Sequence, residues 1–208
     1  MKKGREFKTK LNAEGAMNIL KSHNIHDQSF HPAKSDMSSI CMHATGLLTP
    51  SQTTGSMVAE LRKKGASTFW FTGTSAPCIS IFKPFFIPGK TLLEGSNLAP
   101  RETPNASMWW KHELLHRKVL LNYQESVSIF QKEKDAFQKE ILAQEKSVLK
   151  KNSKVILDKF SATTLKKSEM YIDGWLKKIQ SVKKENFLKH PIYYFHRKNW
   201  DRQSKVKL

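Results

Sequence analysis

The stretch TFWFTGTSAPCISIFKPFFI (residues 68–87) decides the fold class of this chain. It holds two runs of apolar and aromatic side chains, residues 68–72 and 78–87, which a turn containing Gly and Pro separates. In both runs apolar side chains occupy positions of both parities, which is typical of strands that are covered on both faces. Pro84 has no backbone N–H to donate, so it favours a sheet edge or a bulge for the second run. The sequence therefore predicts strands that lie between two covering layers.

Two further strands and a helix are predicted upstream of this stretch. SICMHA (residues 39–44) and TTGSMVAEL (residues 53–61) are strand-like runs bounded by turn residues. LNAEGAMNILKSHN (residues 11–24) has the apolar spacing of a short helix, and Asn12 is its candidate N-cap.

Downstream of Met108 the apolar spacing becomes helical. The predicted elements are helices over residues 108–123, 125–150 and 163–184, and a basic aromatic tail over residues 187–208. With the four strands, these elements predict an α+β fold.

The charge balance favours anionic partners, but it does not identify a specific one. The chain has 208 residues, with 36 Lys and Arg against 18 Asp and Glu, which gives a formal net charge of +18. Such an excess favours nonspecific attraction to nucleic acid or anionic surfaces. The tail HPIYYFHRKNWDRQSKVK (residues 190–207) alternates aromatic and basic side chains, as proteins that bind single-stranded nucleic acid do. A basic nucleic-acid-binding protein is therefore one alternative function.

Cysteine use and hydropathy predict a soluble cytoplasmic protein. Cys41 and Cys78 are the only cysteines, and two isolated cysteines form no disulfide framework and no C-x-x-C pair. The N-terminus is basic without an apolar run behind it, and no apolar stretch reaches the length of a membrane span. These observations predict a reducing compartment and no membrane partner.

WWKHELLHRK (residues 109–118) contains the H-E-x-x-H pattern of zinc peptidases. His112 and His116 share one helix face, and Glu113 would be the general base. No third protein ligand follows at the expected spacing, so we interpret the pair as a hydrogen-bonded feature of the core. The sequence accordingly predicts no metal and no other cofactor, and a zinc peptidase through these residues is kept as an alternative.

Four threonines are candidate substrate-binding residues. Thr72 and Thr74 offer hydroxyl groups beside a glycine at a predicted strand end, and Thr53 and Thr54 do the same at the start of another strand. The competing interpretation is a pair of turns whose hydroxyls satisfy their own backbone. We interpret His43, on the first predicted strand, as structural.

The segments SICMHA, QTTGSMVAEL, FWFTGTSAPCISIFKPFFI and WWKHELLHRKVL, in this order, resemble the secernin and bacterial dipeptidase A family. The resemblance covers about residues 13–137, and TGTSAPCISIFKP is its most specific part. It implies an N-terminal-nucleophile hydrolase fold, in which two stacked antiparallel sheets lie between helix layers (αββα). It also implies cysteine-type hydrolysis of dipeptides.

The resemblance further implies that this chain corresponds to the C-terminal half of such an enzyme. In these hydrolases the nucleophile is the first residue of the mature chain, and its own α-amino group serves as the base. The present chain opens with Met1, and Cys41 lies far inside it. We therefore predict no catalytic residue in this chain and no activity on its own. A dipeptide would bind once the missing half is supplied.

The predicted organisation has three parts. Residues 1–123 form a partial αββα core, residues 124–186 a helical extension, and residues 187–208 the basic aromatic tail. Because apolar strand faces of the partial core would lack a cover, we also expect self-association.

Overall fold

A computed structural model describes residues 11–23, 30–46, 49–87 and 99–208 of the chain. The described part is α+β, with one three-stranded antiparallel sheet and five α-helices. Within it, no helix combines the length and the apolar character needed to cross a membrane.

The sheet precedes most of the helical part of the chain. The elements in chain order are α1 (Ala13–Leu20), β1 (Met57–Glu60), β2 (Ser67–Phe71), β3 (Lys83–Ile87), α2 (Met108–Val119), α3 (Tyr123–Lys150), α4 (Lys154–Lys178) and α5 (Pro191–Gln203). Short 3₁₀ turns at Pro32–Lys34 and Phe187–Lys189 follow α1 and precede α5, respectively.

The sheet has the order β1-β2-β3, and its inner face is centred on Trp70. Trp70 lies opposite Val58 in β1 and opposite Pro84 in β3, and its side chain is fully buried. Helix α4 packs on β3, and α2 and α3 pack along α4. The inner face of the sheet therefore has a helical cover, and β3 is an edge strand, as Pro84 predicts.

The other face of the sheet is apolar and partly open to solvent. We call Met57, Phe69, Phe71, Phe85 and Ile87 the apolar sheet face. Met57 and Ile87 expose 51% and 61% of their surface, and the rings of Phe71 and Phe85 contact each other with centroids 5.6 Å apart. The prediction that both faces are covered thus holds for only one face of the described structure.

Residues 39–44 form no strand, and the prediction of one there is wrong. The N–H of Met42 donates to Thr53 Oγ1 (3.0 Å), and the N–H of Cys41 donates to the carbonyl of Ser22 (3.0 Å). The segment is a loop whose backbone bonds to the end of α1 and to another loop. Cys41 and His43 alternate with a more exposed residue because both point into a buried cluster.

Residues 78–87 are only partly a strand. The N–H of Ile79 donates to the carbonyl of Ala76 (3.0 Å), and Ala76 has a left-handed φ of 51°. The backbone of Phe82 bonds at both its N–H and its carbonyl to the side chain of Gln138 in α3 (2.7 and 3.1 Å). In residues 78–82 a turn and the side-chain amide of Gln138 take the place of hydrogen bonds to a neighbouring strand. Strand β3 therefore begins only at Lys83. The predicted strand 53–61 similarly shortens to β1.

The predicted helices exist, but their bounds shift. The helix predicted over residues 108–123 ends at Val119 (α2), and the helix predicted from residue 163 already begins at Lys154 (α4). The buried stripe of α4 includes Ser161, Thr164 and Ser168, whose small polar side chains conceal the periodicity that a hydrophobic pattern would show.

The predicted tail contains a helix that is held against α2. Tyr193 and Arg197 of α5 are buried. Arg197 Nη2 donates to the carbonyl of Arg117 (2.9 Å), and Arg117 Nη1 donates to Asp201 Oδ1 (2.9 Å). These bonds fix the inner face of α5 to the C-terminal end of α2.

Lys83 is a buried amine whose titration should be visible in the stability of the protein. Its Nζ donates to the carbonyls of Thr72 and Ile81, and burial lowers its pKa to about 7 from 10.5. Between these two values the unfolded state binds more protons, so the free energy of unfolding rises with pH, by up to about 1.4 kcal/mol per unit.

We expect Lys83→Met to remove this rise. The stability gained by the variant over the unchanged protein should therefore be largest below pH 7 and should shrink as the pH approaches 10.5. Urea unfolding of both proteins across this range measures the difference. A difference that stays constant with pH would show that Lys83 is charged in the folded state throughout.

Candidate metal centre

Four buried side chains converge between the end of α1, the loop of residues 39–44 and the turn before β3. They are His23, Cys41, His43 and Cys78, whose ligand atoms all lie within 4.8 Å of one another. In the part of the chain that the structure describes, this is the one group of three or more His, Cys, Asp or Glu side chains close enough to share a metal ion. Cys78 is the most accessible of the four, and it exposes only 9% of its surface.

Three separate segments supply these side chains. His23 follows the end of α1, and its ring stacks on Phe30 with the two centroids 3.6 Å apart. Cys41 and His43 lie two residues apart in the loop that is tied to Ser22, so their side chains reach the same side. Cys78 lies in the tight turn before β3. Ring stacking on Phe30 and a backbone hydrogen bond to Ser22 thus position His23 and the Cys41–His43 loop.

Three of the six distances among the ligand atoms fit a tetrahedral zinc ion, and the other three are at most 4.8 Å. His43 Nε2 lies 3.2 Å from His23 Nε2, 3.6 Å from Cys41 Sγ and 3.5 Å from Cys78 Sγ. With zinc bonds of about 2.05 Å to nitrogen and about 2.3 Å to sulfur, a tetrahedron has N···N edges of about 3.3 Å and N···S edges of about 3.6 Å. The three distances from His43 Nε2 agree with these values.

A second histidine and a carboxylate orient His43. His43 Nδ1 lies 3.4 Å from His116 Nε2, and His116 Nδ1 lies 3.3 Å from Glu113 Oε2. If His43 Nε2 bonds a metal, its Nδ1–H donates to His116 Nε2, and the Nδ1–H of His116 then donates to the carboxylate. One set of tautomers satisfies both of these contacts, in the arrangement that supports metal-bound histidines in other proteins.

Further hydrogen bonds hold Glu113, the last residue in the series of contacts from His43 through His116. Its carboxylate accepts hydrogen bonds from Ser75 Oγ (2.6 Å), Arg117 Nε (2.8 Å) and Gln52 Nε2 (3.2 Å). Burial by itself raises the pKa of this carboxyl, but the bonds from His116, Ser75 and Arg117 outweigh that effect and hold the pKa well below its usual range. The carboxylate is therefore ionised and already paired, so it is not available as a general base.

The surroundings of Cys78 favour its thiolate. Tyr123 OH donates to Cys78 Sγ (3.5 Å), and the buried amine of Lys134 donates to the carbonyl oxygen of Cys78. Burial raises the pKa of both thiols. For Cys78 the hydrogen bond from Cys41 and the charge of His43 outweigh burial, so its pKa is lowered, whereas that of Cys41 stays raised. A thiolate and a neighbouring thiol beside two imidazoles are a soft-ligand set.

The two histidines of the H-E-x-x-H pattern contact different groups. His112 Nε2 lies 3.1 Å from Ser80 Oγ, whereas His116 contacts His43 and Glu113. Burial, followed by the charge of His116, lowers the pKa of His112 to about 3, so this ring is neutral. The interpretation of the pair as a hydrogen-bonded core feature agrees with these contacts, and His116 reaches the candidate ligands only through His43.

The candidate substrate-binding threonines divide into two pairs. Thr72 and Thr74 are buried, and each hydroxyl donates to the carbonyl of the other residue (3.0 and 3.2 Å). Thr53 Oγ1 accepts from the N–H of Met42, and Thr54 is exposed. The structure thus brings Thr72 and Thr74 together near the ligand-bearing turn, with their hydroxyls bonded inside the turn. Substrate binding by the four stays a prediction.

The sequence analysis did not bring these four side chains together. It interpreted His43 as structural, assigned no role to His23, and considered the two cysteines separately. The available signal was Cys41-x-His43, because a two-residue spacing in extended backbone places both side chains on one side. The pairing with Cys78 and His23 depends on the tertiary fold.

Comparison of the chain with protein-family models, curated proteins and solved structures found no match. The functional conclusion therefore depends on the geometry of the metal centre and its surroundings.

Proposed function

We propose that this chain is a zinc-binding protein, in which His23, Cys41, His43 and Cys78 hold one Zn²⁺. The observation that carries the proposal is the agreement of the three distances around His43 Nε2 with the edges of a zinc tetrahedron. Thiolate and imidazole ligands in this combination are typical of zinc rather than of magnesium or calcium.

The site has the character of a structural centre. Four protein ligands complete the coordination of zinc, so no position is left for water or substrate. Two thiolates neutralise the charge of the ion, which favours its burial. The ion would join the end of α1, the loop of residues 39–44 and the turn before β3. Its expected role is to hold these segments on the helical layer.

Metal analysis of the purified chain tests the proposal. We expect one zinc per chain, and Co²⁺ in its place should give the visible absorption of a tetrahedral thiolate complex. The double variant Cys41→Ser with Cys78→Ser should lose the metal. His112→Gln is the matched control, because His112 is a buried histidine outside the ligand set, and this variant should keep it. Zinc that is lost in His112→Gln and kept in the double variant would instead support the H-E-x-x-H alternative.

Glu113→Gln should weaken zinc binding without removing a ligand. The substitution keeps the size of the side chain but removes the charge that orients His116 and, through it, His43. Changes of this kind cost roughly 10–100-fold in metal affinity. Competition with a chelator measures the loss, and Glu133→Gln, which changes a carboxylate at the surface, is the control. An unchanged affinity together with a lower Tm would show that Glu113 only stabilises the fold.

Cysteine-type peptide hydrolysis is a second candidate function. The resemblance to the secernin and dipeptidase A family implies such hydrolysis through an N-terminal nucleophile. Within the chain a different pair favours the same chemistry: Cys78 Sγ lies 3.5 Å from His43 Nε2, and His43 contacts His116, which contacts Glu113. In cysteine hydrolases a nucleophilic cysteine contacts a base, and further groups orient that base. Cys78, His43, and His116 with Glu113 have this order of contacts. The apolar sheet face likewise supports an αββα arrangement, since a second sheet would pack on it.

Dipeptide turnover distinguishes the two functions. Because zinc would occupy the thiolates, we expect no hydrolysis by the zinc-loaded chain, and none by the metal-free chain alone. Turnover by the metal-free chain that is lost in Cys78→Ala and kept in Cys41→Ala would favour the hydrolase over the structural metal centre.

A further inference from the structure

The C-terminal segment carries exposed apolar side chains, one of which, Ile192, borders Gly46 of the protein body. Phe187, Leu188, Ile192 and Phe195, which we call the α5 patch, expose between 61% and 71% of their surface. Ile192 and Phe195 lie three residues apart on α5 and so share one helix face. Leu188 precedes Ile192 by four residues. Four large apolar side chains so close together are more than the scattered exposure that a soluble surface normally shows.

The α5 patch cannot turn inward, because the opposite side of the helix is already bound. Tyr193 and Arg197 are buried, and Tyr193 OH donates to the carbonyl of Leu120 (3.4 Å). Arg197 donates to the carbonyl of Arg117 (2.9 Å), and Asp201 pairs with the Arg117 side chain. Helix α5 therefore lies flat on the body, and its 13 residues extend the outer surface over about 20 Å.

Basic side chains outnumber acidic ones in the segment that carries the patch, and its two acids face the protein body. Glu185 pairs with His31 (3.1 Å), and Asp201 pairs with Arg117 (2.9 Å). The exposed cations of the segment are Lys183, Lys184, Lys189, Lys198, Arg202, Lys205 and Lys207. Lys198 and Arg202 follow Phe195 at helical spacing, so α5 presents apolar side chains and cations on one exposed face.

We propose that the α5 patch and its cations bind the surface of an anionic membrane. Helices that lie in the membrane interface combine Phe and Leu on one side with Lys and Arg beside them, so that apolar side chains enter the acyl boundary while cations meet acidic headgroups. Two of the four patch residues are aliphatic and cannot stack on bases, which favours lipid over single-stranded nucleic acid. The sequence prediction of no membrane partner depended on the absence of a spanning segment, and surface binding needs none.

Vesicle co-sedimentation of the full chain tests this proposal. We expect the chain to sediment with vesicles of equimolar phosphatidylglycerol and phosphatidylcholine, and to stay in solution with phosphatidylcholine alone. Ile192→Ser with Phe195→Ser should lower the partition coefficient by about tenfold or more, because insertion gains free energy with each buried apolar group. Lys198→Glu with Arg202→Glu should weaken binding to the anionic vesicles as well.

The matched control is Val155→Ser with Met170→Ser, which removes two comparably exposed apolar side chains from α4. This variant should bind the vesicles as the unchanged chain does, and a thermal melt confirms that each variant is folded. Equal binding by the Ile192/Phe195 variant and the control would overturn the proposal. So would a patch variant that changes only the oligomeric state, or only the binding of a single-stranded oligonucleotide.

Discussion

Replacing Cys78 with serine is expected to abolish zinc binding and to lower the stability of the chain more than any other single change considered. A ligand that binds only the folded state adds about 4 kcal/mol to the free energy of unfolding when its free concentration is a thousandfold above Kd. For a chain of this size that corresponds to about 8–16 °C in Tm. The variant should therefore melt at the same temperature with and without zinc, whereas the unchanged protein should melt higher with zinc.

Comparing each protein with and without metal separates coordination from packing. Any packing defect of the serine side chain is present in both measurements of the variant and cancels in the difference. His31→Ala is the control, since His31 pairs with Glu185 and lies outside the cluster, and its zinc-dependent shift should equal that of the unchanged protein. A zinc-dependent shift that survives in Cys78→Ser would contradict the assignment of this ligand.

The second large effect concerns the apolar sheet face. We expect the chain to self-associate through this face, sheet against sheet with a second copy, because its exposed residues carry no charge and lie flat along neighbouring strands. Burying a large apolar side chain contributes roughly 1.5–3 kcal/mol. Replacing Met57, Phe71 and Ile87 with threonine, which strands accept well, should therefore lower the association constant by at least about a hundredfold.

Sedimentation velocity over a range of protein concentrations measures this change. Val155→Thr with Met170→Thr is the control, because both side chains are exposed on α4 and away from the sheet. The control should associate as the unchanged chain does. An unchanged chain that stays monomeric at every concentration would show that the face needs no partner.

The sequence predicts which helices and strands form better than it predicts the turns and tertiary contacts between them. The runs around Trp70 and Phe86 are strands, and Phe130, Phe137 and Ile141 face the core from α3, because local apolar spacing determines these features. The turn at Cys78 was not predictable, since it depends on the amide of Gln138, far away in the sequence, which replaces a strand partner for Phe82. Periodicity reports burial and carries no information about which group satisfies the backbone.

The metal centre shows the same limit more strongly. The H-E-x-x-H motif indicates His112 and His116 as candidate zinc ligands. The four side chains that the fold brings together are different residues, and His116 contacts only one of them, His43. A local motif is visible in one sequence, whereas ligands from three distant segments become visible only when the fold places them together.

The wide spacing of the four ligands also determines when zinc can act during folding. His23, the Cys41–His43 pair and Cys78 are separated by long stretches of chain, and bringing them together around one ion costs chain entropy. We therefore expect zinc to bind all four ligands only late in folding. An interaction that forms after the transition state slows unfolding while leaving the folding rate almost unchanged. Bound zinc would therefore lengthen the lifetime of the native state by slowing unfolding, and it would not accelerate folding.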